Sequence, residues 1–94
     1  MAPEIESSLT QRSSTFVVDP WSVVLLGDGG HTFDEVTLQL IKALNIALQK
    51  ASEIALEAHN SGEAVCYTGP KAHCEYVVSV LKEIDLSARI ERVG

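Results

Sequence analysis

The pattern of apolar and polar residues divides the chain into a polar N-terminal stretch and a domain built from short elements. Between Ser7 and Thr15 most residues carry hydroxyl groups, with no helical or strand period. Such a segment buries too little apolar surface to order itself, so we predict a flexible N-terminal extension over residues 1–19. Pro20 interrupts the chain, and the core domain is predicted over residues 20–94.

Three segments have the pattern of β-strands. Residues 21–26 form an apolar run rich in β-branched side chains, and this length favours a buried strand over a helix. Residues 64–67 predict a second, short strand. Residues 86–93 alternate between polar and apolar positions, which is typical of a half-exposed strand.

Three helices are predicted around these strands. Thr32 and Glu35 form a capping box that marks the start of the first helix, whose apolar residues recur at helical spacing. A second helix is predicted over residues 48–60, ended by Gly62, a residue typical of helix C-caps. Pro70 is predicted to start the third. The element order β-α-α-β-α-β indicates a small single domain of the α+β class.

Composition excludes several kinds of partner. The 94 residues include 13 acidic and 7 basic side chains, giving a net charge of −6, and aromatic residues make up only 5%. A nucleic acid would be repelled by this charge and would find few rings to stack on. No apolar stretch reaches the roughly 18–20 residues of a membrane span, and no secretion signal is present, so a cytoplasmic location is expected.

No motif in the chain points to an enzyme, a cofactor or a metal. Cys66 and Cys74 have neither the spacing of a CxxC pair nor that of a disulfide framework. The glycine-rich loop at residues 27–30 lacks the lysine and the spacing of a nucleotide-binding loop. A metal-assisted hydrolase that uses Asp28, His31 and His59 (the last at the end of the second helix) is kept only as an outside hypothesis.

The most specific pattern of the chain consists of segments in a fixed order. They are the apolar strand ending in Gly27-Asp28-Gly29, the helix start His31-Thr32-Phe33, and Ala58-His59-Asn60-Ser61-Gly62-Glu63-Ala64-Val65. Together these segments resemble the ClpS adaptor family. The family pattern is a hydrophobic strand ending in Asn-Asp-Asp, a Thr and a Met or Phe that open a helix, and then Val-His-x-x-Gly-x-Ala-Val. The resemblance covers roughly residues 20–93.

The resemblance implies a fold and a function. The fold would be a three-stranded antiparallel sheet packed against three helices, in agreement with the predicted element order. The function would be that of an adaptor, not an enzyme. It would bind the N-domain of a ClpA- or ClpC-type AAA+ unfoldase, which works with the ClpP peptidase. It would deliver substrates that begin with Leu, Phe, Tyr or Trp, known as N-degrons.

The resemblance also assigns residues to the amine end of a binding site. His59 matches the histidine that contacts the substrate's α-amino group, and Asp28 matches the first Asp of the family motif. Gly27 and Gly29 stand where the family has Asn and a second Asp, so two acceptors for the ammonium group are missing. His31, or backbone carbonyls of the loop, would be the alternative acceptors.

Further residues are assigned to a side-chain pocket and to the unfoldase surface. The pocket would be lined by Thr32, Phe33, Ala55, Ala58 and Leu86. Glu75 would contact the unfoldase, and Val77 lies near the position of a lysine usual on that surface.

Two functions therefore stay open at the level of sequence. In the first, the chain is an adaptor that binds N-degrons, and the imidazole of His59 must be neutral to accept a hydrogen bond from the ammonium group. In the second, the chain regulates the unfoldase and has lost ordinary N-degron binding.

Overall fold

The described part of the chain follows the predicted order of elements. The computed structural model describes residues 20–93, so the extension predicted over residues 1–19 lies outside the described residues, as does Gly94. The elements are β1 (Trp21–Leu26), α1 (Phe33–Leu44), α2 (Leu48–Ser61), β2 (Glu63–Gly69), α3 (Lys71–Leu81) and β3 (Ala88–Arg92), with a 3-10 turn (Lys82–Ile84) between α3 and β3. This confirms the predicted α+β order β-α-α-β-α-β.

Strand β1 is the centre of a three-stranded antiparallel sheet. The strand order is β2-β1-β3, and β1 pairs with both neighbours. Its central residues Val23, Val24 and Leu25 are all buried, and since successive side chains point to opposite faces of a sheet, both faces of β1 are shielded there. A continuous apolar run is the expected sequence of such a strand. The chain leaves β1 at Leu26 and enters the glycine-rich loop.

The helix ends form as the local sequence predicts. The hydroxyl of Thr32 accepts from the Glu35 amide at 3.1 Å, and the Glu35 carboxylate accepts from the Thr32 amide at 2.8 Å. Asn45 ends α1 and Gly62 ends α2, both in the left-handed conformation, with φ of 55° and 88°. The backbone amide of Gly62 donates to the Ala58 carbonyl at 2.9 Å. These caps fix where α2 stops and β2 begins.

Strand β3 is shorter than predicted, and Leu86 does not belong to it. The strand covers Ala88–Arg92, whereas alternation predicted residues 86–93. Before it, Asp85 adopts a positive φ of 61°, and the Leu86 amide donates to the Leu81 carbonyl at 3.2 Å. The chain reversal turns Leu86 inward, where only 2% of its surface is exposed. Alternation along a sequence does not reveal such a reversal.

The helices cover one face of the sheet and enclose the core. The central residues are fully buried: Val23, Leu25, Leu40, Ala51, Cys74, Val77 and Leu81. Helix α2 contributes mainly alanines to this core, namely Ala51, Ala55 and Ala58, together with Ile54. Small side chains let α2 lie close to its neighbours. No helix within residues 20–93 is both long enough and apolar enough to cross a membrane.

Candidate functional site

A cavity of about 200 Å³ lies where β1 ends. The glycine-rich loop, the start of α1, the second half of α2 and the turn before β3 surround it. Most of the predicted site residues line it: Gly27, Asp28, Gly29, His31, Phe33, Ala55, Ala58, His59 and Leu86. Leu25, Leu26 and Val36 also line it and were not predicted. Val36 follows Phe33 by one helical turn, and this spacing is the signal that could have identified it.

One predicted pocket residue is not part of the lining. Thr32 is exposed, and its hydroxyl caps α1 by accepting from the Glu35 amide. The N-cap position holds the side chain against the helix end, because that is where the unpaired amide groups are. Thr32 therefore shapes the site by fixing the start of α1, directly before Phe33.

The apolar end of the cavity is made by residues of very different exposure. Leu86, Ala55 and Ala58 are buried and form its inner surface, with 2%, 5% and 3% of their surfaces exposed. Phe33 is 46% exposed and lies in the first turn of α1. The two alanines leave room that a larger side chain would fill. The cavity is therefore apolar inside, and the aromatic ring of Phe33 lies at its edge.

The Asp28 carboxylate is fixed at the polar end by two hydrogen bonds. Its Oδ1 accepts from the Gly30 amide at 2.9 Å, and its Oδ2 lies 2.9 Å from Nδ1 of His31. The Gly30 bond is the main reason why the pKa of Asp28 is lowered from its ordinary value, and His31 lowers it further. A carboxylate therefore lies at the polar end of the cavity over the physiological pH range.

His31 is held between Asp28 and the turn before β3. Its Nε2 lies 2.5 Å from the carbonyl oxygen of Ile84, and its Nδ1 contacts Asp28. Both partners only accept hydrogen bonds, so the ring satisfies both only when both nitrogens carry protons. The Ile84 carbonyl is the main reason why the pKa of His31 is raised, and Asp28 adds to the effect. Both ring nitrogens are thus already engaged within the protein, and an acceptor role of His31 toward the substrate stays a prediction.

Gly27 is required by the close approach of two backbones. A Cβ atom at this position would lie 2.4 Å from the carbonyl oxygen of Ala58 in α2. The Gly27 amide also donates to the Gly62 carbonyl at 2.9 Å. Gly29 differs, because a Cβ there would meet nothing within 4 Å, although its φ is +70°. An asparagine at position 27 does not fit this backbone, whereas position 29 has open space.

The two residues assigned to the unfoldase surface have opposite exposure. Glu75 is exposed on α3, and the neighbouring Tyr76 is 53% exposed. Val77 is completely buried in the core, so its side chain cannot contact a partner. The prediction for Val77 is wrong because the helical period turns that position toward the sheet, while the preceding residues face outward.

The described residues do not support the outside hypothesis of a metal-assisted hydrolase. Within residues 20–93 no group of three or more His, Cys, Asp or Glu side chains is arranged to hold a metal ion. Asp28, His31 and His59 all line the cavity, but the His31 ring is already engaged by the Ile84 carbonyl. A metal ion needs free nitrogen lone pairs and convergent ligands.

Comparison with known proteins shows to which family this chain belongs. The family model described as "ATP-dependent Clp protease adaptor protein ClpS" matches residues 18–88. The chain is a member of the ClpS adaptor family. It is 32% identical over 73 residues to the ATP-dependent Clp protease adapter protein ClpS of Nocardia farcinica, covering 78% of this chain and 69% of that protein. The chain is thus a ClpS-type adaptor of the Clp protease and not an enzyme.

A solved structure confirms the ClpS fold. The chain superimposes on Agrobacterium tumefaciens ClpS2, solved in complex with L-phenylalaninamide, with a TM-score of 0.76. The match covers 80% of this chain and 98% of that chain, at 18% sequence identity. At this identity the likeness concerns the fold alone.

The Asp28–His31 pair makes the stability of this ClpS protein depend on pH. Asp28, whose ordinary pKa is 3.8, has a lowered pKa, so its contribution is present above that value and is lost as the pH falls through the lowered one. His31, whose ordinary pKa is 6.5, has a raised pKa, so its contribution is complete below that value and is lost as the pH rises through the raised one. The pair therefore stabilises the fold most between these two ordinary values.

Urea denaturation at a series of pH values measures this effect. The difference in midpoint between the natural chain and a His31→Gln variant is expected to be largest between the two ordinary values, and to shrink on either side. Taking the difference removes the contributions that both proteins share. A difference that does not change with pH would contradict the assignment.

Proposed function

We propose that the cavity binds the first residue of a substrate protein, with the side chain inside and the α-ammonium group at Asp28 and His59. The chain then delivers this substrate to a ClpA- or ClpC-type unfoldase in the cytoplasm. The observation that carries the proposal is that the same cavity has an apolar interior and a carboxylate at its polar end. The first residue of a protein carries both an apolar side chain and a cationic amine, which match these two features.

The size of the cavity supports one side chain as the ligand. Its volume is about 200 Å³. An apolar protein cavity of about 150 Å³ binds benzene, and pockets for drug-sized molecules begin at about 300 Å³. The cavity therefore suits the first residue of a chain, such as Phe or Leu, better than a larger ligand. The ligand in the structure of Agrobacterium ClpS2, L-phenylalaninamide, has this size and these groups.

The amine end has few acceptors, and this makes Asp28 important. An ammonium group has three N–H donors, and each needs an acceptor once water is excluded. Gly27 and Gly29 offer only backbone carbonyls, so Asp28 and the exposed His59 supply the side-chain acceptors. His59 can accept a hydrogen bond only as a neutral imidazole.

The surface for the unfoldase is proposed on the exposed side of α3. Glu75 and Tyr76 are exposed there, and Tyr76 lies beside His73, with ring centroids 5.7 Å apart. Substitution of Glu75 by Lys should weaken binding to the N-domain of the unfoldase. It should leave binding of peptides to the cavity unchanged.

Fluorescence anisotropy with short labelled peptides tests the proposal for the cavity. The peptides differ only in the first residue, with Leu, Phe, Tyr, Trp and Arg, and an N-acetylated Phe peptide serves as the control for the amine. We expect micromolar or tighter binding of the hydrophobic ends, and acetylation should weaken it at least about tenfold, since a charge-assisted bond is lost. Equal binding of the free and acetylated Phe peptides would contradict the role of the amine end.

A second function is favoured by the two glycines of the loop. Without side-chain acceptors at positions 27 and 29, the chain would bind the unfoldase and regulate it without taking ordinary N-degrons. A Gly29→Asp variant separates the two functions, because position 29 lines the cavity and has open space. Aspartate is among the residues that tolerate a positive φ best.

The Gly29→Asp variant should bind a Phe peptide about tenfold more tightly than the natural chain, since it adds one acceptor. Gly29→Ala is the matched control, because it places a side chain at the same positive φ without adding an acceptor. Binding that appears only in the Gly29→Asp variant would show that the natural chain is the regulator. No gain over the Gly29→Ala control would show that position 29 does not reach the amine.

A further inference from the structure

We propose that His31 is a positioning residue of the cavity, and that its imidazolium form lowers the affinity of Asp28 for the α-ammonium group of a substrate. The inference rests on the proposed function, since it concerns the amine end of the same cavity. In this inference His31 acts on the substrate through Asp28 and not through a contact of its own. Its consequence is that N-terminal amines bind more tightly when His31 has lost a proton.

Asp28 keeps its place whether or not His31 is protonated. One carboxylate oxygen accepts from the Gly30 amide at 2.9 Å, and this backbone donor does not titrate. The other oxygen is the one that contacts Nδ1 of His31, also at 2.9 Å. A proton on His31 therefore decides the charge beside Asp28 and the availability of its second oxygen, while the Gly30 bond holds the side chain.

The Ile84 carbonyl decides which hydrogen bond opens when His31 becomes neutral. A neutral imidazole keeps one N–H, and the part-buried carbonyl of Ile84 needs that donor more than the exposed carboxylate of Asp28, which water can reach. With the proton on Nε2, the lone pair of Nδ1 faces an oxygen of Asp28, and the two repel each other. Asp28 is then free to accept from an ammonium group with its second oxygen, and the cation next to it is gone.

Other titratable groups surround the ring and must be separated from it. The charge of Glu35, at the start of α1, raises the pKa of His31, as Asp28 does. His59 lines the same cavity from α2, and Asp85 follows Ile84 in the turn before β3. His59 also favours binding in its neutral form under the proposed function. The pH profile of the natural chain alone therefore does not identify His31.

A comparison of two proteins and two ligands isolates the contribution of His31. Calorimetry measures the affinities of the natural chain and of a His31→Gln variant for L-phenylalaninamide and for N-acetyl-L-phenylalaninamide, from pH 5.5 to pH 8. Glutamine retains a side-chain donor for the Ile84 carbonyl but carries no charge. Effects of pH on the ligand and on the other residues of the cavity are common to both proteins, so they cancel in the ratio of affinities.

We expect the His31→Gln variant to bind L-phenylalaninamide about tenfold more tightly than the natural chain at pH 5.5. The ratio should decline toward one as the pH rises through the titration of His31. The acetylated ligand should show a ratio near one at every pH. A ratio of one or less at pH 5.5, or a ratio that does not change with pH, would overturn the proposal.

NMR titration of the His31 ring in the natural chain gives an independent test that needs no variant. Linkage is reciprocal, so a cation that binds better to the neutral form must lower the pKa of His31 when it binds. An unchanged or raised pKa in the presence of saturating L-phenylalaninamide would overturn the role of His31 while leaving the proposed function intact. If neither ligand binds either protein, the proposed function fails and this inference fails with it.

Discussion

Replacement of Gly27 by Ala is expected to lower the free energy of unfolding by about 2–3 kcal/mol, because overpacking forces backbone shifts. The new Cβ would lie 2.4 Å from the carbonyl oxygen of Ala58, an atom that is part of the backbone and cannot rotate away. The same carbonyl accepts from the Gly62 amide at the end of α2, and Gly62 in turn accepts from Gly27. Separating the two backbones therefore disturbs the cap of α2 as well as the end of β1.

Thermal and urea denaturation of the Gly27→Ala variant would measure this loss, which corresponds to a Tm lower by about 10 °C or more for a domain of this size. Gly30→Ala is the matched control. Its Cβ would lie 3.8 Å from an Asp28 oxygen, an ordinary contact, so we expect a change within about 0.5 kcal/mol. Equal stability of the two variants would show that β1 and α2 are not as close as described.

The result bears on the proposed function because position 27 is where the ClpS family pattern has an asparagine. The missing asparagine is tied to the short distance between the loop and α2, and a Gly27→Asn variant is expected to lose stability rather than gain affinity. The missing acceptors are therefore better tested at position 29, where there is space.

Replacement of Asp28 by Asn is expected to weaken binding of a Phe peptide about ten- to hundredfold, since it removes the carboxylate nearest to the proposed amine site. Asparagine keeps an oxygen for the Gly30 amide, so the turn of the loop should persist. The loss is then due to charge and not to unfolding. Anisotropy at pH 8 measures it with less interference from the protonated form of His31.

Asp34→Asn is the control for Asp28→Asn, because it removes the same charge from an exposed residue of α1 that does not line the cavity. Its affinity should stay within about twofold of that of the natural chain, as expected for a screened surface charge. An Asp28→Asn variant with the affinity of this control would place the amine elsewhere. Unfolding curves of both variants would show that both domains remain folded.

Much of the fold could be predicted because its signals are local. The capping box of Thr32 and Glu35 and the C-cap Gly62 lie within a few residues of the helix ends that they determine. The apolar run of residues 21–26 predicted the central strand, because a strand that is buried on both faces needs no polar alternation. The start of the last strand was predicted less well, since the reversal at Asp85 before it has no periodic signature.

The residues that line the cavity could largely be predicted, but their contacts could not. The ClpS resemblance named nine of the residues that line the cavity. It also assigned Val77 to a partner surface, although that side chain is buried. A motif transfers positions from one chain to another, whereas burial depends on how the helix is rotated against the sheet.

The sequence by itself determined the order of the elements, the ends of the helices and the family of the protein, because these depend on short segments with fixed spacing. Only the tertiary structure decided that Gly27 touches the backbone of α2, that Leu86 turns inward and that His31 joins Asp28 to Ile84. His31 and Ile84 are 53 residues apart in the chain, and no local pattern records their contact. Such contacts exist only once the helices have packed on the sheet, since packing and not propensity brings distant backbone groups within hydrogen-bonding distance.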